Sequence, residues 1–327
     1  MRDKIKIGAH MALLALAGVW SAGIVCYCLP AGGILLWFYV VMLIGALVFL
    51  RKKKVMIAAW SAVLLLNIFY LSIKPTNERD WKASWSQLPY GTMENGVLTL
   101  NNVRNFSYRT TEDFDVHYET RRYNMESLET VDFAACYWDG MKAVAHVMFS
   151  FGFGGGDYLV LSAETRLAEG DVQGSLPGLY KQFGFQYIFA TEEGIFALRS
   201  NYRHEDLFLY RLTIPKEKVR LILEDLIARA NKLNSEPEFY NTITHNCTTA
   251  LIPSIKKGVP VDSFNPVLLF NGFMDKQIYK RGAMMCREGE SFEELKERAA
   301  IPYDISAGDL KNYSRKIREH VGIFSEK

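Results

Sequence analysis

Hydrophobic patterning changes character once along this chain. Residues 12–29, 31–50 and 56–73 are three nearly unbroken apolar runs. Each is close to the ~20 residues with which a helix crosses a bilayer. Inside lipid the backbone hydrogen bonds must be met within the segment, so all three predict helices. Asn67 weakens the third run slightly. Beyond Lys74 the pattern shifts to strands. Residues 96–103, 118–123, 129–138, 143–151 and 157–166 are rich in β-branched and aromatic side chains and are separated by turn residues. The Gly-rich stretch 152–157 predicts a hairpin loop. Residues 184–191 and 194–198 predict a second hairpin, and 207–212 a further strand.

Helical spacing then takes over. Pro215 suits a first turn, and Val219, Ile222, Leu223, Leu226, Ile227 and Ala230 recur on one face. Asn246 is a favoured N-cap for a helix over 248–257. Ser291 and Glu294 form a capping-box signature for 292–300. Ser306 and Asp309 repeat it more weakly before a basic C-terminal helix. The fold class is therefore α+β: three transmembrane helices, then an antiparallel sheet with helices segregated around it. The boundaries read as a membrane anchor at 1–74, an interfacial linker at 75–95, a catalytic domain at 96–258 and a helical extension at 259–327. Trp81 and Trp85 in the linker suit a bilayer interface.

Charge sets the orientation. Arg2, Lys4 and Lys6 precede the first run, and Arg51, Lys52, Lys53 and Lys54 separate the second from the third. Both clusters belong on the cytoplasmic side, which places the N-terminus inside and everything after Lys74 outside. A cleaved signal peptide is the competing reading of the first run, but another apolar run follows it instead of a cleavage site. No acidic or basic residue interrupts the spans, so they read as an anchor rather than a transport path. The net charge of +2 gives no argument for nucleic-acid binding. Five cysteines without a Cys-x-x-Cys argue against a disulfide framework. Cys26 and Cys28 read as small apolar residues. No metal-ligand spacing appears, and no cofactor is expected.

Two residues carry the candidate chemistry. His146 sits in an alternating apolar strand, and Cys247 stands where a polar turn meets a new helix, in Asn246-Cys247-Thr248-Thr249. Helix N-terminal amides and a nearby imidazole both favour a thiolate. If the hairpin loop centres near Gly155, antiparallel pairing sets His146 opposite Glu164, Thr165 and Arg166. Glu164 can then orient the imidazole, as in nucleophile–base–orienter triads; a shift of register would turn Arg166 to the site instead. His245 is a competing base. Asn246 either caps the helix or joins Thr248 and Arg166 in oxyanion binding and positioning, although the Cys247 backbone N–H is the better oxyanion donor. Arg104 and Tyr137 are candidate substrate-binding residues. Arg109, Arg121 and Arg122 add positive charge able to meet a lipid phosphate. The Gly-rich run at 152–156 has no following helix or lysine, so it is not a phosphate loop. The aromatic stretch 264–273 reads as core or as a segment dipping into the outer leaflet.

Several segments together resemble one family. They are Glu78-Arg79-Asp80-Trp81, Asn102-Val103-Arg104-Asn105-Phe106-Ser107-Tyr108-Arg109, Tyr118-Glu119-Thr120-Arg121, His146 within Ala145–Gly152, Ser162-Ala163-Glu164-Thr165-Arg166 and Asn246-Cys247-Thr248-Thr249. Their order is similar to that of the Lnb-type periplasmic domain family of bacterial membrane proteins, over about residues 77–257. The resemblance implies a circularly permuted papain-like (NlpC-type) thiol fold with the His strand ahead of the Cys helix. It also implies lipoprotein N-acyltransfer: a phospholipid is the acyl donor and the free amine of a diacylglyceryl-cysteine lipoprotein is the acceptor. Carried over by position, Cys247 would be the nucleophile, His146 the base and Glu164 the orienter, in a domain outside the bacterial inner membrane. Two rivals use the same chain differently: a membrane-tethered cysteine peptidase or amidase acting on peptidoglycan, and a non-catalytic envelope scaffold.

Overall fold

The computed structural model describes residues 2–49, 52–138, 142–261, 271–305 and 310–322, with the backbone alone at 2–6 and 311. Ser306, Asp309 and most of the stretch 264–273 lie outside the described residues.

The apolar N-terminal runs form α1 (Arg2–Cys28), α2 (Gly32–Val48) and α3 (Lys53–Ser72). Two of them, over Ile7–Cys28 and Lys53–Ser72, are long and apolar enough to cross a membrane. Of the three expected spans, α2 is the one that does not reach this length. Its 17 residues rise only about 25 Å, short of the ~30 Å hydrocarbon core. A tight turn consumes the start of that run: Ala31 adopts a left-handed φ of 53°, and a Cβ on Gly32 would lie 2.1 Å from the Cys26 carbonyl oxygen. Asn67 finds a partner inside the bundle, accepting from Trp20 Nε1 at 3.2 Å.

The sheet begins earlier than the proposed linker boundary. β1 (Tyr90–Glu94) pairs with β2 (Val97–Arg104) inside the segment read as linker. There follow the short ribbon β3 (Ser107–Tyr108) and β4 (Phe114–Asp115), then β5 (Tyr118–Asn124), β6 (Leu128–Tyr137), β7 (Ala145–Phe153), β8 (Asp157–Arg166) and β9 (Gly184–Ala190). α4 (Glu192–Ala197), β10 (Asp206–Arg211), α5 (Lys216–Ser235), α6 (Ile252–Gly258), α7 (Met274–Lys280), α8 (Phe292–Ala299), β11 (Ala300–Ile301) and α9 (Tyr313–Val321) complete the chain. The main sheet runs β1-β2-β9-β8-β7-β6-β10-β11, with β5 also on β2. It is mixed rather than wholly antiparallel, because β2 meets β9 in a parallel pair, Arg104 with Ala190. That contact is where the β1–β2–β5 ribbon joins the larger sheet.

Each face of the sheet has its own core. α5 buries Val219, Ile222, Leu223, Leu226 and Ile227 on one face, as its 3.6-residue spacing predicts. α4 and α9 cover the other face around Met148, Ile188, Phe196, Tyr313 and Ile317. The C-terminal extension is therefore part of the sheet domain, since β11 adds a strand and α9 a layer. Arg318 of α9 is buried against Asp132 (2.8 Å) and Glu192 (2.7 Å), and Asp132 also pairs with Arg211. The second hairpin is corrected as well. Residues 194–198 are helical, because Thr191 caps α4 by accepting from the Gly194 amide at 2.9 Å, with Glu192 and Glu193 in its first turn.

The loop between β8 and β9 reaches back to the anchor. Tyr180 stacks on Tyr27 (5.3 Å) and lies against Trp20 (4.8 Å). It sits so close to Gly23 that a Cβ there would meet its ring at 2.0 Å. Lys181 Nζ donates to the Tyr70 and Ile73 carbonyls at 2.8 and 2.9 Å, at the end of α3. The sheet domain is thus seated on the ends of α1 and α3.

Candidate active site

β7 and β8 bring the candidate residues together. Their register pairs Met148 with Ser162 and Phe153 with Asp157. Carried two residues further, it sets His146 opposite Glu164. Gly155 and Gly156, at φ 87° and 82°, make the turn that fixes this register. His146 is 7% exposed and Cys247 is 9% exposed, and both line one cleft of about 450 Å³ together with Glu164 and Arg104.

A serine connects the imidazole to the carboxylate. His146 Nε2 lies 2.7 Å from Ser162 Oγ, and Ser162 Oγ donates to Glu164 Oε1 at 2.9 Å. Glu164 Oε1 itself is 3.6 Å from Nε2, too far for a direct bond. With its proton committed to Glu164, the serine oxygen accepts from Nε2–H. The neutral imidazole then carries its proton on Nε2 and presents Nδ1 as a base. Cys247 lines the same cleft, and the imidazole lowers the cost of ionising its thiol. Glu164 also lies 3.7 Å from Arg199, whose guanidinium binds Glu205 at 2.9 Å.

The electrostatics shift the thiol and the imidazole toward each other. Burial pushes the Cys247 thiol up, but the His146 hydrogen bond and charge outweigh it and hold the thiol below its ordinary value. Burial and Arg199 push the His146 imidazole down, while Cys247 and Glu164 hold it above its ordinary value. Burial also raises Glu164, yet the nearby imidazole and the charges of Arg104 and Arg199 keep it ionised, far below the carboxylate range.

Around Cys247 the backbone differs from the expected helix start. Pro253 has no N–H to give to the preceding turn, so regular helix begins only at Ile252. Asn246 instead caps a turn, its Oδ1 accepting from the Thr248 and Thr249 amides at 2.9 and 3.0 Å. Its Nδ2 is spent on the Thr242 carbonyl at 2.9 Å, which favours the capping alternative over oxyanion binding. Thr248 lies 3.8 Å from Sγ and accepts from Asn271 at 2.7 Å. The Val147 backbone N–H also favours the ionised form of Cys247.

Three expectations are corrected. Arg166 does not approach the thiol. It holds the linker, donating to the Trp85 and Ser86 carbonyls and to Asn77 at 2.9–3.0 Å, with Trp81 stacked over it at 4.2 Å. Tyr137 does not line the cleft; its hydroxyl is buried against Asp275 (2.9 Å) and the Gly272 carbonyl (2.8 Å). His245 pairs with Glu238 at 2.9 Å. Of the other arginines, Arg109 is tied to Asp113 and Asp115, and Arg121 to Glu119. Three contributors escaped sequence reasoning: Ser162, Arg199 and Asn271. Asn271 Nδ2 lies 3.5 Å from Cys247 Sγ, and its Oδ1 accepts from the Ala145 amide at 2.8 Å. The i, i+2 spacing of Ser162 and Glu164 on one strand was the signal available for the serine.

Among the described residues no His/Cys/Asp/Glu group is arranged to hold a metal. The cluster can generate a thiolate next to a base, beside a side-chain amide, at the wall of a cleft. Residues 114–269 match the Lnb N-terminal periplasmic domain family. No curated protein and no solved structure matches the chain.

Proposed function

This chain belongs, through residues 114–269, to the Lnb-type periplasmic domain family, and on that premise we propose that it is a lipoprotein N-acyltransferase working through a thioester on Cys247. One observation carries the reading: a thiol held below its ordinary value by His146 faces a cleft in a domain docked on apolar helices long enough to cross a membrane. We read the order of His strand and Cys turn as a permuted papain-like arrangement. We read α1, α2 and α3 as three crossings with the positive clusters ahead of α1 and α3 on the cytoplasmic side, so that the N-terminus is cytoplasmic and the site lies outside the inner membrane.

The chemistry is ping-pong acyl transfer. Nδ1 of His146 takes the Cys247 proton, and the thiolate adds to an ester carbonyl of a phospholipid. The ester C–O bond breaks, the leaving lysophospholipid oxygen takes the proton from the imidazolium, and an acyl thioester remains. The N-terminal amine of a diacylglyceryl-cysteine lipoprotein then attacks the thioester. His146 accepts the amine proton, the C–S bond breaks, and the thiol is restored as the amide leaves. An α-amine with a pKa near 8 is partly neutral at physiological pH. Asn271 Nδ2 and the Cys247 backbone N–H are the candidate oxyanion donors. Donor and acceptor share one membrane surface, so anchoring replaces a three-dimensional search by a local one and favours orientation.

Mass spectrometry of lipoprotein N-termini tests this, in cells that rely on this protein. Triacylated termini are expected with the unaltered protein and only free amines with Cys247→Ala. Full N-acylation by the mutant would end the proposal. Muropeptide cleavage without lipoprotein acylation would instead favour the peptidoglycan hydrolase.

A further inference from the structure

A guanidinium that makes no ion pair among the described residues lines the cleft that holds Cys247. Arg104 ends β2, where side chains alternate between faces. Leu98 and Leu100 point into the α5-side core, and unbroken alternation would send residue 104 there too. A bulge between Leu100 and Val103 prevents this. Asn102 adopts φ 60° and donates its amide to the Leu88 carbonyl at 2.8 Å. The added residue shifts the phase, so that fully buried Val103 takes the core position and Arg104 turns to the cleft. Its backbone is pinned there by the Thr191 amide, which donates to the Arg104 carbonyl at 2.9 Å.

The guanidinium stands 5.8 Å from the Trp85 ring and 5.5 Å from that of Phe106. Arg104 Nη2 and Trp85 Nε1 are both buried without a hydrogen-bond partner among the described residues, and Arg104 makes no ion pair among them. The neighbouring cations are already engaged: Arg199 with Glu205 (2.9 Å), Arg203 with Glu205 (3.7 Å) and Lys82 with the Asp171 carbonyl (2.9 Å). Arg166 fixes Trp85 by donating to its carbonyl at 2.9 Å. Two preorganised donors with unmet hydrogen bonds are unfavourable unless a ligand meets them.

We propose that Arg104 and Trp85 form an anion subsite of this cleft, and that its ligand is the phosphodiester of the glycerophospholipid donor. A planar guanidinium fork matches phosphate oxygens, and the flanking rings suit a ligand that is part lipid. Trp85 comes from the segment that leads out of α3, the side from which a bilayer lipid enters. This subsite rests on the acyl-donor reading above but is tested without acyl transfer.

The full chain with Cys247→Ala, held in amphipol, is titrated by calorimetry with dihexanoylphosphatidylglycerol, with dihexanoylglycerol and with inorganic phosphate. The phospholipid is expected to bind more tightly than its phosphate-free counterpart. Adding Arg104→Gln lowers phospholipid affinity by about 10–100-fold, the size of one charge-assisted pair, and leaves dihexanoylglycerol unchanged. Equal losses for both lipids, or no loss, overturn the subsite. So does Arg104 dependence confined to inorganic phosphate, which marks a free-anion site. Thermal melting reports folding. If Arg104→Gln does not fold, Arg104→Lys decides: a reduced preference for the phospholipid supports the subsite, and an unchanged preference overturns it. Because no bond is made, failure here is separable from failure of Cys247 to accept an acyl chain.

Discussion

Cys136 and Cys247 are both buried thiols beside His146, and their surroundings drive them in opposite directions. Cys136 faces His146 across the β6–β7 ladder, but its Sγ donates to Glu205 at 2.9 Å. Burial, aided by that carboxylate against the opposing charge of Arg199, pushes this thiol up to about 12. Cys247 is also buried, yet its partner is an imidazole backed by Ser162 and Glu164, and its proton is held less tightly than in an ordinary thiol. Burial alone keeps a thiol protonated, and a thiolate in a protein interior needs an acceptor arranged to take its proton. The same contrast separates two charge clusters on this sheet face. Asp132, Glu192, Arg211 and Arg318 pair each carboxylate with a guanidinium, while at the cleft Arg104 makes no ion pair among the described residues.

Removing the acceptor breaks the comparison most severely. In His146→Gln only burial and weak neighbours act on Cys247, so its pKa rises above the ordinary value instead of falling below it. Alkylation by iodoacetamide near pH 7 then slows by about 10²–10⁴-fold, and the rate–pH profile moves to higher pH. The unaltered protein labels Cys247 at neutral pH and leaves Cys136 unmodified. Peptide mapping across a pH series reads both sites at once. An unchanged Cys247 profile in His146→Gln would detach the thiol from its proposed base.

The closed cluster behaves in the opposite way. Arg318→Met leaves two buried carboxylates short of a partner and costs about 3–5 kcal/mol, measured by denaturant unfolding. Cys247 labelling in the folded fraction stays as before, since Arg318 contacts none of the site residues. Ser162→Ala is milder. It removes the link between imidazole and carboxylate, and Cys247 labelling at pH 7 falls by about 5–30-fold, the effect of one or two kcal/mol. Smallest of all, Cys136→Ala lowers stability by about 1 kcal/mol and leaves Cys247 labelling within about twofold. A large loss of labelling there would mean the two thiols are coupled, contrary to this account.

Much of the scaffold was legible because it rests on local rules. The apolar stripe of α5, the Ser291–Glu294 capping box and the β7–β8 register follow from periodicity and turn chemistry. His146, Glu164 and Cys247 could be read for the same reason, two from one hairpin and one from a capped turn. Asn271 was not legible, because it reaches Cys247 from 24 residues downstream and nothing local records that approach. Arg199 lies on a π-helical turn over Leu198–Tyr202, and no sequence pattern aims it at Glu164. Arg104 and Arg166 looked alike on paper. A bulge turned the first to the cleft, and three acceptors in the linker claimed the second.

The acyl-enzyme itself tests the central claim most directly. Full-length protein is mixed with phospholipid in the absence of a lipoprotein acceptor, and its intact mass is followed with time. The account predicts a gain of one long-chain acyl group, mapped to Cys247, removed by hydroxylamine and absent in His146→Gln. No adduct on Cys247 while the same thiol alkylates rapidly at neutral pH would contradict it.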